Sequence, residues 1–90
     1  LLTIYSVLEI CAVEQNPINT AKTFCVNFTV DPEKHLGRFI QFNSNTANAG
    51  LIRCIMEINT DMNTITLDAE LDNVPVAGDT FIFVGYRSQK

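Results

Sequence analysis

The stretch Gly37–Phe83 limits what this chain can fold into more than any other part of it. Runs of alternating apolar and polar residues are separated there by turn-rich segments. Alternation over four to eight residues is the pattern of a strand with one buried face and one exposed face. Thr64–Leu71 is the cleanest case, with Ile65, Leu67, Ala69 and Leu71 facing in and Thr64, Thr66, Asp68 and Glu70 facing out. Leu51–Ile58 sends Ile52, Cys54, Met56 and Ile58 to one face and Leu51, Arg53, Ile55 and Glu57 to the other. Arg38–Phe42 is a shorter strand. The connections are the polar loop Asn43–Gly50, the hairpin-length Asn59–Asn63 and the long turn Asp72–Thr80. Phe81–Tyr86 is apolar on both faces, which places it centrally in a sandwich or under another subunit.

Upstream, Thr23–Val30 alternates with Phe24, Val26, Phe28 and Val30 on one side. Asp31–Lys34 reads as a turn, and Gly37 marks a break where positive φ is needed. Glu14–Lys22 is a loop anchored by Asn16-Pro17. Leu1–Val13 fits a helical face as well as a strand, and its Val, Ile, Tyr and Thr content tips it to β. The expectation is an all-β fold, a small antiparallel β-barrel or sandwich of five to six strands. One domain fills residues 1–90: an N-terminal strand and loop arm over 1–22, a β core over 23–86 and a tail over 87–90. With 90 residues the core is thin. Unpaired edges and a doubly apolar strand predict a homo-oligomer or docking on a larger partner.

Charge narrows the partners. The net charge is −4, and the six basic residues form no run. Phosphate backbones and anionic membrane surfaces need clustered cations, so neither nucleic acid nor membrane is an expected partner. Leu1–Val13 is too short to span a bilayer, and it lacks the basic start and small-residue cleavage site of a signal peptide. The start at Leu1-Leu2 rather than Met reads as a fragment or a processed chain. Charged residues are only 18%, and Asn and Thr take their place, as suits a surface to be desolvated against protein.

Candidates for chemistry are few. The three cysteines, Cys11, Cys25 and Cys54, sit among apolar neighbours and read as core or interface thiols from a reducing compartment. His35 is the one histidine and reads as a surface residue. Asp61 and Asn63 open like a calcium loop, but Ile65 stands where a ligand is needed, so a hairpin turn is expected. Asp68 and Glu70 read as a solvated acidic face, with Asp72 continuing it. Asn27-Phe28-Thr29 matches a glycosylation sequon inside an expected strand. No nucleophile lies beside a base in sequence, so no catalytic residue, metal or cofactor is expected. The structural turn residues are Gly37, Gly50, Pro75, Gly78 and Asp79, with the Asp79 carboxylate accepting from backbone N–H groups two residues on. The expected interface residues are Leu2, Ile4, Leu8, Phe81, Phe83 and Tyr86.

One ordered set of motifs goes further. Gly37-Arg38, Ile40, Phe42, Ser44, Ala49-Gly50, Arg53, Ile55, Thr66-Leu67, Leu71, Pro75, Gly78-Asp79-Thr80 and Phe81 occur in that order. The set resembles a recurrent β module of tailed-bacteriophage structural proteins: a G-R-x-I-x-F strand, a loop with a late Gly, then P-x-x-G-D-T-F. The common loop form is S-G-x-x-x-G, and Asn45 stands here in place of its first Gly. The resemblance covers about half the chain and none of the first 36 residues. It implies a virion structural protein without enzymatic activity, assembled in the host bacterial cytoplasm. The role implied first is capsid decoration (cement), with other capsid or tail subunits as partners. The alternative is a tail, fibre or baseplate module contacting a host glycan or another tail protein.

Overall fold

Alternating residues become strands where neighbouring strands can satisfy their backbone N–H and C=O groups. In a computed structural model, which describes residues 11–85, this happens in six places. The strands are β1 (Cys11–Ala12), β2 (Thr23–Cys25), β3 (Phe39–Phe42), β4 (Ile52–Asn59), β5 (Thr64–Leu67) and β6 (Thr80–Val84). They form one sheet in the order β1-β6-β3-β4-β5-β2, and every neighbouring pair is antiparallel. β6 lies between β1 and β3, the central position its apolar composition predicts. The fold is therefore all-β, as expected. Of the segment Leu1–Val13, the described part supplies β1, paired Cys11 with Phe81 and Ala12 with Thr80.

β4 is the joint of the sheet. Its first residues pair with β3, Cys54 opposite Phe39 and Ile52 opposite Gln41. Its later residues pair with β5, Ile58 opposite Ile65 and Asn59 opposite Thr64. The register shifts between Ile55 and Glu57. An extra residue on one strand bends that strand and flips the facing of the residues beyond it. The simple division of Leu51–Ile58 is corrected accordingly: Ile55 is buried, Ile52 and Met56 are exposed, and Ile58 packs against the core. Thr64–Leu71 is likewise shortened. The strand stops at Leu67, Ala69 is exposed, and Leu71 returns to the core from the following turn.

The sheet curls until its end strands meet at one bridge, Val13 opposite Val26, without closing into a barrel. Glu14 N–H donates to Cys25 O (3.0 Å), and Asn27 N–H donates to Ala12 O (3.0 Å). Inside the curl, Phe24, Phe42 and Phe81 form a triangle with centroids 5.5–6.3 Å apart, and the Phe24 contacts are edge-to-face. Such pairs add about 0.5–1.5 kcal/mol each beyond their area. Ile40, Ile55, Ile65 and Leu67 complete the same core. Asp31–Lys34, expected as a turn, begins a one-turn helix, α1 (Pro32–His35). Asp31 Oδ1 accepts from Glu33 N–H at 3.0 Å, and Pro32 fits the first turn because no N–H partner is needed there.

Candidate docking face

The strand register assembles a row of uncharged side chains on the outside of β6, β3 and β4, with the Asp68 carboxylate at its Cys54 end. Residues directly opposite one another in a sheet share a face. Gln41 of β3 lies opposite Ile82 of β6 on one side and Ile52 of β4 on the other. One row along, Phe39 lies opposite Val84 and Cys54. Because Ile40 and Phe42 point into the core, Phe39 and Gln41 point out, and their partners go with them. Ile82 is 48% exposed, Ile52 49% and Met56, at the bulge, 58%. None of these positions carries a charge. A cluster of large exposed apolar side chains on a polar protein marks a contact surface. The alternation of Arg38–Phe42 already held the signal, since a strand with Ile40 and Phe42 inside must turn Phe39 and Gln41 outward.

Of the predicted interface residues, Phe81 and Phe83 lie among the described residues. Phe81 is 1% exposed and belongs to the core triangle, so its assignment as a docking residue is corrected. Phe83 is half-buried among Phe28, Phe81 and His35, with the Arg38 guanidinium 4.8 Å above its ring. The side chain that β6 offers outward is Ile82. Leu2, Ile4, Leu8 and Tyr86 lie outside the described residues.

His35 is half-buried rather than a plain surface residue. Its ring stacks on Phe83 (5.5 Å, 19°), contacts Phe28 (5.0 Å), and its Nδ1 accepts from Asp31 N–H at 3.0 Å. Burial lowers its pKa, the Asp31 carboxylate works against that, and Arg38 and Lys34 reinforce it. A neutral imidazole accepting a backbone hydrogen bond is a structural part of α1. Desolvation pushes the Cys54 thiol up, and the Asp68 carboxylate adds to the shift, which makes it a poor nucleophile. None of the three cysteines forms a disulfide.

The turn residues do what their types predict, with one change. Gly50 (φ 81°) and Gly78 (φ 91°) occupy backbone conformations that a side chain strains, and Gly37 is also at positive φ. Gly78 N–H donates to Val13 O (2.9 Å), and Val13 N–H donates to Asp79 O (2.9 Å), so the turn aligns β1 with β6. Pro75 is buried in the same turn. Asp79 Oδ2 accepts from Val76 N–H at 3.0 Å, three residues back rather than two residues on, and so closes the turn from its far end.

Two asparagines act as rivets. Buried Asn48 donates through Nδ2 to Asn73 O (3.0 Å) and accepts at Oδ1 from Asn73 N–H (2.9 Å), fastening the Asn43–Gly50 loop to the Asp72–Thr80 turn. Asn63 (φ 57°) donates to Val26 O and Phe28 O and accepts from Val30 N–H. That occupancy makes it a turn residue of the β4–β5 hairpin and not a cation ligand.

Other surfaces carry less. Asp68 Oδ1 accepts from Cys54 N–H (3.1 Å) beyond the end of β5, so Asp68 and Glu70 do not form a stripe along one strand. The sheet ends are sealed: Asn19 Oδ1 accepts from Cys25 N–H (3.0 Å), Thr20 N–H donates to Thr23 O (2.7 Å), and Asn27 Oδ1 accepts from Ala12 N–H (2.9 Å). A groove of about 410 Å³ crosses the outside of β2, β5 and the end of β4. Thr23, Thr64, Thr66, Glu57 and Asn59 line it, with Thr23 Oγ1 2.9 Å from Thr66 Oγ1, and Ile18 and Met62 also border it. Among the described residues, no three His, Cys, Asp or Glu side chains gather as a metal site. Comparison with protein-family models, with curated proteins and with solved structures finds no match to this chain.

Proposed function

We propose that this chain is a non-enzymatic structural subunit of a tailed-phage virion, a capsid decoration protein that reinforces the particle by packing its outer sheet face against neighbouring subunits. The observation that carries this reading is the uncharged row Ile82–Gln41–Ile52 with Met56 beside it, on a chain of net charge −4. The ordered motifs from Gly37 to Phe81 support the virion assignment, and they coincide with β3, β4, β5, β6 and their turns. The mechanism is additive burial. A standard contact removes about 1,600 Å² from water in total. Repetition over a shell multiplies weak contacts through effective concentration. The partners are capsid or tail subunits and further copies of the chain, and cysteines that form no disulfide suit assembly in bacterial cytoplasm.

The test is co-purification with particles. Ile52→Lys and Ile82→Glu alter the outer face without entering the core, whereas Phe83→Asp would break the ring cluster around His35. Loss of either outer-face variant from particles, with its melting temperature kept, is the expected result. Incorporation at the wild-type level by both would refute the reading. The groove over β2 and β5 favours a second reading, a tail module that grips a neutral glycan. Binding on a glycan array, lost in Thr66→Val, would select it.

A further inference from the structure

We infer that the groove over β2, β5 and the end of β4 is a binding site for an uncharged sugar, held by the Thr64 and Thr66 hydroxyls, the Asn59 amide and the Glu57 carboxylate. This deepens the second reading above, on which it rests, by naming the groups that hold the ligand and the charge the ligand must have.

The register builds the site. Glu57 lies opposite Thr66, which lies opposite Thr23, and Asn59 lies opposite Thr64. Ile65 and Leu67 point into the core, so Thr64 and Thr66 point outward with their partners. The shift between Ile55 and Glu57 brings Glu57 and Asn59 to this face. The two rows stand about 6.8 Å apart on strands about 4.8 Å apart, so the polar groups spread over the width of one or two sugar rings. The volume of about 410 Å³ lies in the range of small-molecule sites.

Thr64 is the residue that points to a ligand. It faces outward yet is only 3% exposed, and it lines the groove. Its hydroxyl makes no hydrogen bond to any described residue. Among the described residues no fully buried side-chain N or O atom lacks a partner, so this hydroxyl opens into the groove. A nearly buried hydroxyl without a protein partner gains most from a ligand that supplies one.

The neighbouring groups set the chemistry of that ligand. Asn59 Oδ1 accepts from Met62 N–H (3.1 Å), which leaves its Nδ2 as a donor. The Glu57 carboxylate only accepts, and it forms no ion pair with the described residues. Thr23 and Thr66 share one hydrogen bond (2.9 Å), which leaves a hydroxyl hydrogen and lone pairs over. Donors and acceptors therefore stand side by side. An anion would meet Glu57, with no Lys or Arg lining the groove to offset it. An ammonium group only donates and would leave the Asn59 amide unmatched. A sugar hydroxyl donates and accepts, and Ile18 and Met62 at the border offer apolar contact to its C–H groups. One ring held by so few groups binds with a dissociation constant of about 1 mM.

NMR chemical-shift titration of the isotope-labelled chain tests this. The neutral probes are glucose, galactose, mannose, N-acetylglucosamine and lactose, each taken to about 50 mM, far above the expected constant. Glucuronate and spermidine are the anionic and cationic probes. At least one neutral sugar should shift the backbone amides of Glu57, Asn59, Thr64 and Thr66 saturably. Thr64→Val keeps the shape, loses the hydroxyl and should weaken that sugar about fivefold, and Glu57→Gln, at an exposed position, about threefold or more. Should Thr64→Val fail to fold, Glu57→Gln carries the test. An unchanged constant in either folded variant, or shifts confined to other parts of the chain, overturns this site and leaves the glycan reading standing. Tighter binding of glucuronate or spermidine than of every neutral sugar overturns the ligand class. No shift from any neutral sugar overturns this inference and the glycan reading together, and particle incorporation, scored separately, decides the decoration reading.

Discussion

Replacing Asn48 by alanine should destabilise this protein by unfastening the Asn43–Gly50 loop from the Asp72–Thr80 turn. Asn48 is 1% exposed, and its side-chain amide stands in for a strand partner, bonding both the N–H and the C=O of Asn73. Alanine removes both bonds and leaves two backbone groups facing a small cavity. Asn73 itself is exposed, so water reaches its freed backbone groups and each lost bond costs about 0.5–1.5 kcal/mol, a loss of about 1–3 kcal/mol in all. A domain of this length holds roughly 5–13 kcal/mol in all. At about 4–8 °C per kcal/mol, the melting temperature should fall by roughly 4–24 °C. Asn48→Asp should be comparably harmful, because a carboxylate still accepts from Asn73 N–H but sets negative charge against Asn73 C=O. Thermal and urea unfolding followed by circular dichroism measure this directly. A shift below about 3 °C in Asn48→Ala would show that the loop–turn rivet is not part of the stable fold.

Three further outcomes are expected from the same structure. His35 has a lowered pKa, so the unfolded chain binds its proton more readily than the folded one. The contribution is fully present above the unfolded value of about 6.5 and is lost as pH falls through the folded value; His35→Gln should flatten that part of a stability-against-pH curve. Gly78→Ala meets no atom within 4 Å but must hold φ 91°, so it should cost about 1–3 kcal/mol through backbone strain alone, read as a lower urea midpoint with unchanged m value. Phe24→Ala removes a corner of the aromatic triangle and should cost about 3–5 kcal/mol, seen as loss of the cooperative melt near room temperature.

The features legible in the residues alone were those that depend on near neighbours in the chain. The alternation in Arg38–Phe42 and the first half of Thr64–Leu71 located β3 and β5, Gly37 announced positive φ, and Gly50 and Gly78 announced turns. Features set by distant partners were hidden. The bulge at Met56 arises because β4 must serve β3 and β5 in turn, and no local pattern distinguishes it from an unbroken strand. The same non-locality concealed Asn48 and Asn63, which look like ordinary loop asparagines until their partners 25 to 37 residues away are placed. Phe81 and Phe83 looked like docking residues because β6 is apolar on both faces, but its central position turns those two inward and leaves Ile82 outside. Gln41 was easiest to overlook, since its importance lies in having Ile52 and Ile82 as its neighbours on either side.

The proposed function makes this sheet an adhesive area on a particle. Electron cryomicroscopy of purified particles carrying the chain measures that claim most directly. Repeated density for the chain on the shell, many copies per particle, with Ile52, Gln41 and Ile82 covered by protein, is the expected result. Particles that lack such density, with the chain recovered only as free monomer, would contradict it.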